Sequence, residues 1–290
     1  MSLNKPIYKL RNWFPIEYLD YTYLSANTNP KAIEILRENT DKINWFYLSS
    51  NSSAYELLME NQDKINWSQF SLNENPKAID YLKKNQDKIN WFKLSSNPKA
   101  YELLIDSKIK NKVIYWSEVN KNYNAIELIK KNKKKITSLI GMNKNPLALS
   151  LIKDNLNNIP YHYITGNPIA SDIIIENIHK LDNFSWCFMG SNSNSDIINL
   201  LSTNIDKIDY CQLAKNTNPE ILKIIEIAKD TISPTQWELL SASPHIFQLD
   251  YEIMKINNQD LEEELIKEVM KPSRVFKNPD YDYIEILFGD

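Results

Sequence analysis

The sequence predicts an all-α solenoid of about ten two-helix repeats, each of about 24 residues, with a cap at either end. Three observations predict it. The segments Asp41-Lys42-Ile43-Asn44-Trp45, Asp63-Lys64-Ile65-Asn66-Trp67 and Asp87-Lys88-Ile89-Asn90-Trp91 are the same five residues. An apolar anchor follows each Trp by three residues, and extending that register gives Leu24, Leu48, Phe70, Leu94, Val119, Ile140, Ile164, Met189, Leu213 and Leu240, at a mean spacing of 24. Two columns not used to find the register then fall into line. Three residues before the anchors stand Tyr21, Trp45, Trp67, Trp91, Trp116, Thr137, Tyr161, Trp186, Tyr210 and Trp237, with Thr137 the one non-aromatic. After a linker of two lengths comes Asn29, Asn51, Asn75, Asn97, Asn122, Asn145, Asn167, Asn194 and Asn218, with Ser243 last, usually followed by Pro.

Each element has a physical reason. Residues 1–20 form an N-terminal cap, because Tyr8 to Pro15 precede the array without a full unit. Residues 21–250 form the array. The aromatic-plus-anchor segment is a short A helix, since residues three apart share a helix face. Asn or Ser at the N-cap accepts a bond from the first free N–H groups. Pro at the next position lacks the N–H that would be orphaned there. Apolar residues at helical spacing follow, such as Ala32, Ile35 and Leu36, and mark a B helix of about nine residues. Asn39, Asn61, Asn85, Asn132, Asn155, Asn177 and Asn204 end those helices in the left-handed conformation that Asn tolerates. Helices this short need neighbours. The aromatic column is expected as a buried ladder between units. The array degenerates at Asp250, where the other nine units carry an apolar residue. In residues 251–290, Leu261, Leu265, Ile266 and Val269 predict a C-terminal capping helix, followed by an aromatic-acidic tail. An open array of nine steps of about 8–10 Å would be about 70–90 Å long.

Composition narrows the function. The chain has 36 Asn, 38 Ile and 31 Lys but 3 Arg and 4 Gly, which leaves little material for phosphate-cradling loops. His162, His179 and His245 are scattered, and no His-x-x-x-His or Cys-x-x-Cys spacing occurs, so no metal or cofactor is expected. A net charge of −3 does not suit a dedicated nucleic-acid binder. There is no run of 18 apolar residues and no signal-peptide core, so an intracellular, cytoplasmic protein without a membrane span is expected. Cys187 and Cys211 directly follow the column aromatic in consecutive units. Stacking would hold them about 8–10 Å apart, beyond disulfide reach, as two buried free thiols.

The stretch Tyr8-Lys9-Leu10, Leu19-Asp20-Tyr21, Leu24-Ser25 and Asn29-Pro30-Lys31-Ala32-Ile33, with the Asp-Lys-Ile-Asn-Trp units after it, resembles a family of short helical-repeat proteins. Giant DNA viruses of amoebae and algae encode that family in many copies. The Lys271-Pro272-Ser273-Arg274-Val275 element resembles the family's usual ending. The resemblance covers essentially the whole chain, is best in units two to four, and is weakest around Ile140 and Met189. It implies an α-helical repeat architecture and no activity.

No nucleophile elbow or paired general acid and base stands out, and an enzyme is not expected. Charge is the uneven feature. Lys108, Lys110, Lys112, Lys130, Lys131, Lys133, Lys134 and Lys135 form a candidate partner-binding basic patch, while residues 250–290 are acidic. The expected function is a non-enzymatic scaffold for protein–protein interaction, in a virus an adaptor for a host protein. Varied residues on exposed helix faces would set its specificity. A nucleic-acid-binding solenoid using the Lys-rich middle is the alternative, weakened by the scarcity of Arg. An enzyme with an unrecognised site is the third reading.

Overall fold

A computed structural model describes residues 6–106 and 113–256 of the chain. The described residues are mostly helical, with strand confined to β1 (Tyr8–Leu10) and β2 (Phe247–Leu249), paired in a two-stranded sheet. The chain divides into two compact units, Leu10–Phe247 and a smaller one of Met1–Lys9 with Gln248–Asp290. The division differs from the expected boundaries at both ends. Residues 10–20 belong to the larger unit, and the expected capping helix around Leu261 to Val269 lies outside the described residues.

In the larger unit all ten anchors are 0 % exposed. A helices pack on A helices, as Trp45–Ser50 does on Trp67–Phe70 and Tyr210–Leu213 on Pro234–Leu240. B helices pack on B helices, as Ser195–Ser202 does on Ile221–Ala228. The N-caps form as expected. Asn29, Asn75 and Asn97 each accept the N–H two residues on, and Ser243 does the same for His245. After a long linker with Asn-Pro the B helix runs nine residues in Pro30–Glu38 and Pro76–Lys84, and seven and eight in Ala148–Asp154 and Ile221–Ala228. After a short linker it opens with a 3-10 turn, as Ser52–Ala54 before Tyr55–Glu60. In the sixth unit Thr137 replaces the column aromatic and its hydroxyl accepts the Leu139 N–H, so Ser138–Met142 is a 3-10 segment rather than an α-helix.

The Asn residues at the helix ends correct one expectation. Their φ values are negative, −133° at Asn39 and −121° at Asn85, so the left-handed conformation is not used. Instead the side-chain amide donates to the carbonyl four residues back: Asn39 to Ile35 at 2.9 Å, Asn85 to Tyr81 at 2.8 Å, Asn204 to Leu200 at 2.9 Å. That gives a carbonyl of the last turn a side-chain donor. The amide N–H of the side chain, not the tolerance of the backbone, selects Asn here.

A second column carries the joints between units. Three residues after every anchor stands Asn27, Asn51, Asn73, Asn97, Asn122, Asn143, Asn167, Asn192 or Asn216, and in the tenth unit Ser243, all buried. The side-chain amide reaches back to the preceding unit. Asn73 donates to Ser49 O and Asn51 O, both at 3.0 Å. Asn97 donates to Ser71 O and Asn73 O, both at 3.0 Å. In short-linker units this Asn is also the N-cap. In long-linker units it holds the N-cap residue instead, as Asn73 Oδ1 accepts the Asn75 N–H. The ladder therefore keeps one register through both linker lengths.

The residue just after the anchor is Ser in five of the ten units, and there its hydroxyl accepts an N–H of the next unit. Ser49 Oγ donates to Trp45 O and accepts the Asn66 N–H of the next unit, at 2.7 and 2.9 Å. Gly190 takes this place in the eighth unit, where a Cβ would come within 3.0 Å of Leu213 N.

The same bonds run between the tenth unit and the first. Asn27 donates to Ser241 O at 2.9 Å and Ser243 O at 2.7 Å. Ser241 Oγ accepts the Asp20 N–H at 3.0 Å. Tyr21–Leu24 packs on Pro234–Leu240, Phe14 meets Trp237 edge-on at 5.7 Å, and Arg11 Nε donates to His245 O. The stretch expected as a cap over a free end instead occupies the face of the tenth unit. Within Leu10–Phe247 the chain of joints closes on itself, and the open length expected from nine steps does not arise.

In the smaller unit the Asp250 N–H donates to Ile7 O at 2.9 Å, and buried Asp250 pairs with Lys9 at 3.3 Å. An ion pair thus fills the place that is apolar in the other nine units.

Candidate interaction surface

The A helices have one face fixed by the buried anchor and another left over. Asn44, Asn66 and Asn90 cap their N-termini through the side chain, which sets where each short helix begins and which way it turns. The residue two beyond the column aromatic then reads Tyr23, Tyr47, Gln69, Lys93, Glu118, Leu139, Tyr163, Phe188, Gln212 and Leu239. The ladder and N-cap columns are nearly uniform; this one is not.

Large apolar side chains stand exposed on this side: Phe184 at 55 %, Phe46 at 48 %, Phe92 at 43 %, Tyr115 at 39 % and Tyr47 at 37 %. They touch one another across units. Phe92 and Tyr115 meet at 5.4 Å, Tyr23 and Tyr47 at 6.5 Å, and His162 lies 4.9 Å from Phe184, which meets Phe188 at 5.1 Å.

Two hollows open here. The larger, about 590 Å³, is lined by Tyr23, Phe46, Tyr47, Leu72, Leu239 and Lys215 among others, and draws on the first three and the last two repeats of the array. The smaller, about 350 Å³, is lined by Met142, Lys144, His162, Tyr163, Phe188 and Lys215 among others. Lys215 belongs to both. No carboxylate lines either hollow. Lys215 Nζ reaches Gln212 Oε1 at 3.4 Å, and among the described residues neither Lys144 nor Lys215 has an ion-pair partner. Burial, and then the neighbouring Tyr47, Asp20, Cys211 and Glu238, push the Tyr23 hydroxyl above its ordinary value. The surface offers apolar area, hydroxyls, an imidazole and two ammonium groups, which is equipment for recognition.

The basic patch read from the sequence is elsewhere. Lys133–Lys135 is a 3-10 turn after the B helix Ile126–Lys131, and Lys131, Lys133, Lys134 and Lys135 are exposed. Lys130 is half-buried and holds Glu127 at 3.1 Å. None of these lines a hollow, and Lys108, Lys110 and Lys112 lie outside the described residues. The buried aromatic ladder holds in part: Trp186, Tyr210 and Trp237 are buried, but the other members of the column are half-buried. Lys side chains cover two of them, Lys42 over Tyr21 at 4.5 Å and Lys207 over Trp186 at 4.2 Å. The cysteines are free but half-buried, and Cys211 lines the larger hollow, because the residue after the column aromatic turns toward the exposed wall.

Among the described residues there is no His, Cys, Asp and Glu group suited to a metal, and no helix long and apolar enough to cross a membrane. No protein-family model, curated protein or solved structure matches the chain.

Proposed function

We propose that the protein is a non-enzymatic interaction scaffold, a closed α-solenoid of ten repeats whose A-helix wall binds a protein partner. The observation that carries this reading is the contrast between columns. Anchors are apolar and fully buried in every unit and the ladder and N-cap positions are Asn in nine of ten, while the wall position varies and exposed aromatics stand beside it around two hollows. A uniform frame with a varied face separates stability from specificity. The wall is rich in Tyr and Phe, the side chains that supply interface area at low entropic cost. The resemblance to giant-virus repeat proteins supports an adaptor that works inside a host cell on a host protein. The test is crosslinked capture from host lysate with the native chain and with Phe46→Ser/Phe184→Ser. Loss of the enriched protein with the double variant is expected, and retention overturns the wall as the site.

The exposed Lys131 and Lys133–Lys135 favour one second reading, nucleic-acid binding on the outer turn. It requires binding to single-stranded RNA that weakens steeply with salt. Absence of an anisotropy change at low salt removes it.

A further inference from the structure

The two hollows differ in chemistry, and the difference describes a ligand. The larger is floored by aliphatic and aromatic groups, with Leu72 and Leu239 beside Tyr23, Phe46 and Tyr47. At the Tyr23 end the nearby charges are negative, Asp20 and Glu238. The smaller hollow carries Lys144, Lys215 and His162 with no carboxylate. Lys215 lines both, so an extended ligand passes from one into the other without leaving the wall.

From this polarity we infer that the wall binds a linear peptide segment of a partner protein, its bulky apolar side chains in the larger hollow and its carboxylates between Lys144 and Lys215. The inference rests on the interaction-scaffold reading and names the partner chemistry of the same surface. Charge complementarity selects the occupant. A basic segment would place its charges against two unpaired ammonium groups. A nucleic acid carries charge along its whole length and would meet Asp20 and Glu238 at one end. Among the described residues neither Arg11 nor Arg37 lines a hollow, and Arg is the usual phosphate partner. An acidic-apolar peptide can put its charge at one end and its apolar groups at the other.

The test is fluorescence anisotropy on the full chain with three labelled synthetic peptides of one length. One carries Leu and Phe followed by Glu, a second has Gln for each Glu, and a third has Lys. The Glu peptide binds tightest, and Lys144→Glu/Lys215→Glu weakens it by roughly tenfold or more, since each exposed charge contact contributes a few-fold and reversal makes it repulsive. The same variant gains affinity for the Lys peptide. Both lysines are exposed, and an unchanged melting temperature confirms that the variant folds. Equal binding of the three peptides, no binding at all, or tighter binding of oligouridylate that the reversal abolishes would overturn the proposal. A captured partner that needs Phe46 and Phe184 but binds through a basic segment would sink this inference and leave the scaffold reading standing.

Discussion

The joint between the second and third units and the joint between the ninth and tenth solve one problem with different residues. In the former, Asn73 supplies two donors to buried carbonyls of the preceding unit. In the latter, Ser243 stands in the Asn column and has no amide. His245 takes over, its Nε2 lying 3.2 Å from Asn216 O. The position requires a donor that reaches a buried carbonyl, and Asn is the usual way to meet that need. A buried carbonyl left without a donor costs more than the bond itself contributes. The His solution brings a titratable group into a joint where every other unit has a neutral amide.

The largest expected effect comes from deleting a ladder amide. Asn73→Ala takes this donor from the buried Ser49 carbonyl and one of two donors from Asn51 O, and should cost about 2–4 kcal/mol in denaturant unfolding. Asn27→Ala should cost as much as Asn73→Ala, because it joins the first unit to the tenth by the same two bonds. A near-silent Asn27→Ala would break the equivalence.

His245→Ala removes one donor and should cost about 1–3 kcal/mol, while His245→Gln, which keeps a donor, should cost less. The two separate by pH. Burial above all holds the His245 imidazole below its ordinary value of 6.5, Arg11 adds to this, and the carbonyls of Asn216 and Thr217 act against it. As pH falls the unfolded chain takes up this proton first. The native protein therefore keeps its full stability above about pH 6.5 and loses part of it as pH drops through the lower folded value. In His245→Gln that part of the acid loss should vanish from a series of thermal melts, and an unaltered profile would show that His245 does not cause it.

A smaller effect is expected from the hydroxyls. Ser49→Ala and Ser241→Ala each remove one acceptor from the next unit's first N–H, at Asn66 and Asp20, and should each cost about 1 kcal/mol. Similar values sharpen the comparison; a large gap marks the closing joint as different in kind.

Much of this was legible in the sequence. Anchors and N-caps follow from periodicity and capping chemistry, and the anchors proved fully buried. The ladder was missed because aligning the Asn residues on the cap scatters the column that lies three residues after the anchor. In four units, such as those of Asn51 and Asn97, one Asn does both tasks, which hid the second task behind the first. Closure was missed because residues 10–20 carry no repeat signature. Yet the Asn27 amide in the first unit and the Ser241 hydroxyl in the tenth are joint groups that a free end has no use for. The wall escaped because it has no repeating residue type. Its signal was variation beside uniform columns.

Closure is tested most directly by distance. Spin labels at Glu17 and Thr235, both exposed, report on the packing of Ile16–Tyr18 against Pro234–Leu240, in a background with Cys187 and Cys211 replaced by Ser. Strong dipolar coupling is expected at one helix-packing step, roughly 8–10 Å plus the label tethers. A separation approaching the roughly 70–90 Å of an open array of nine steps would contradict it.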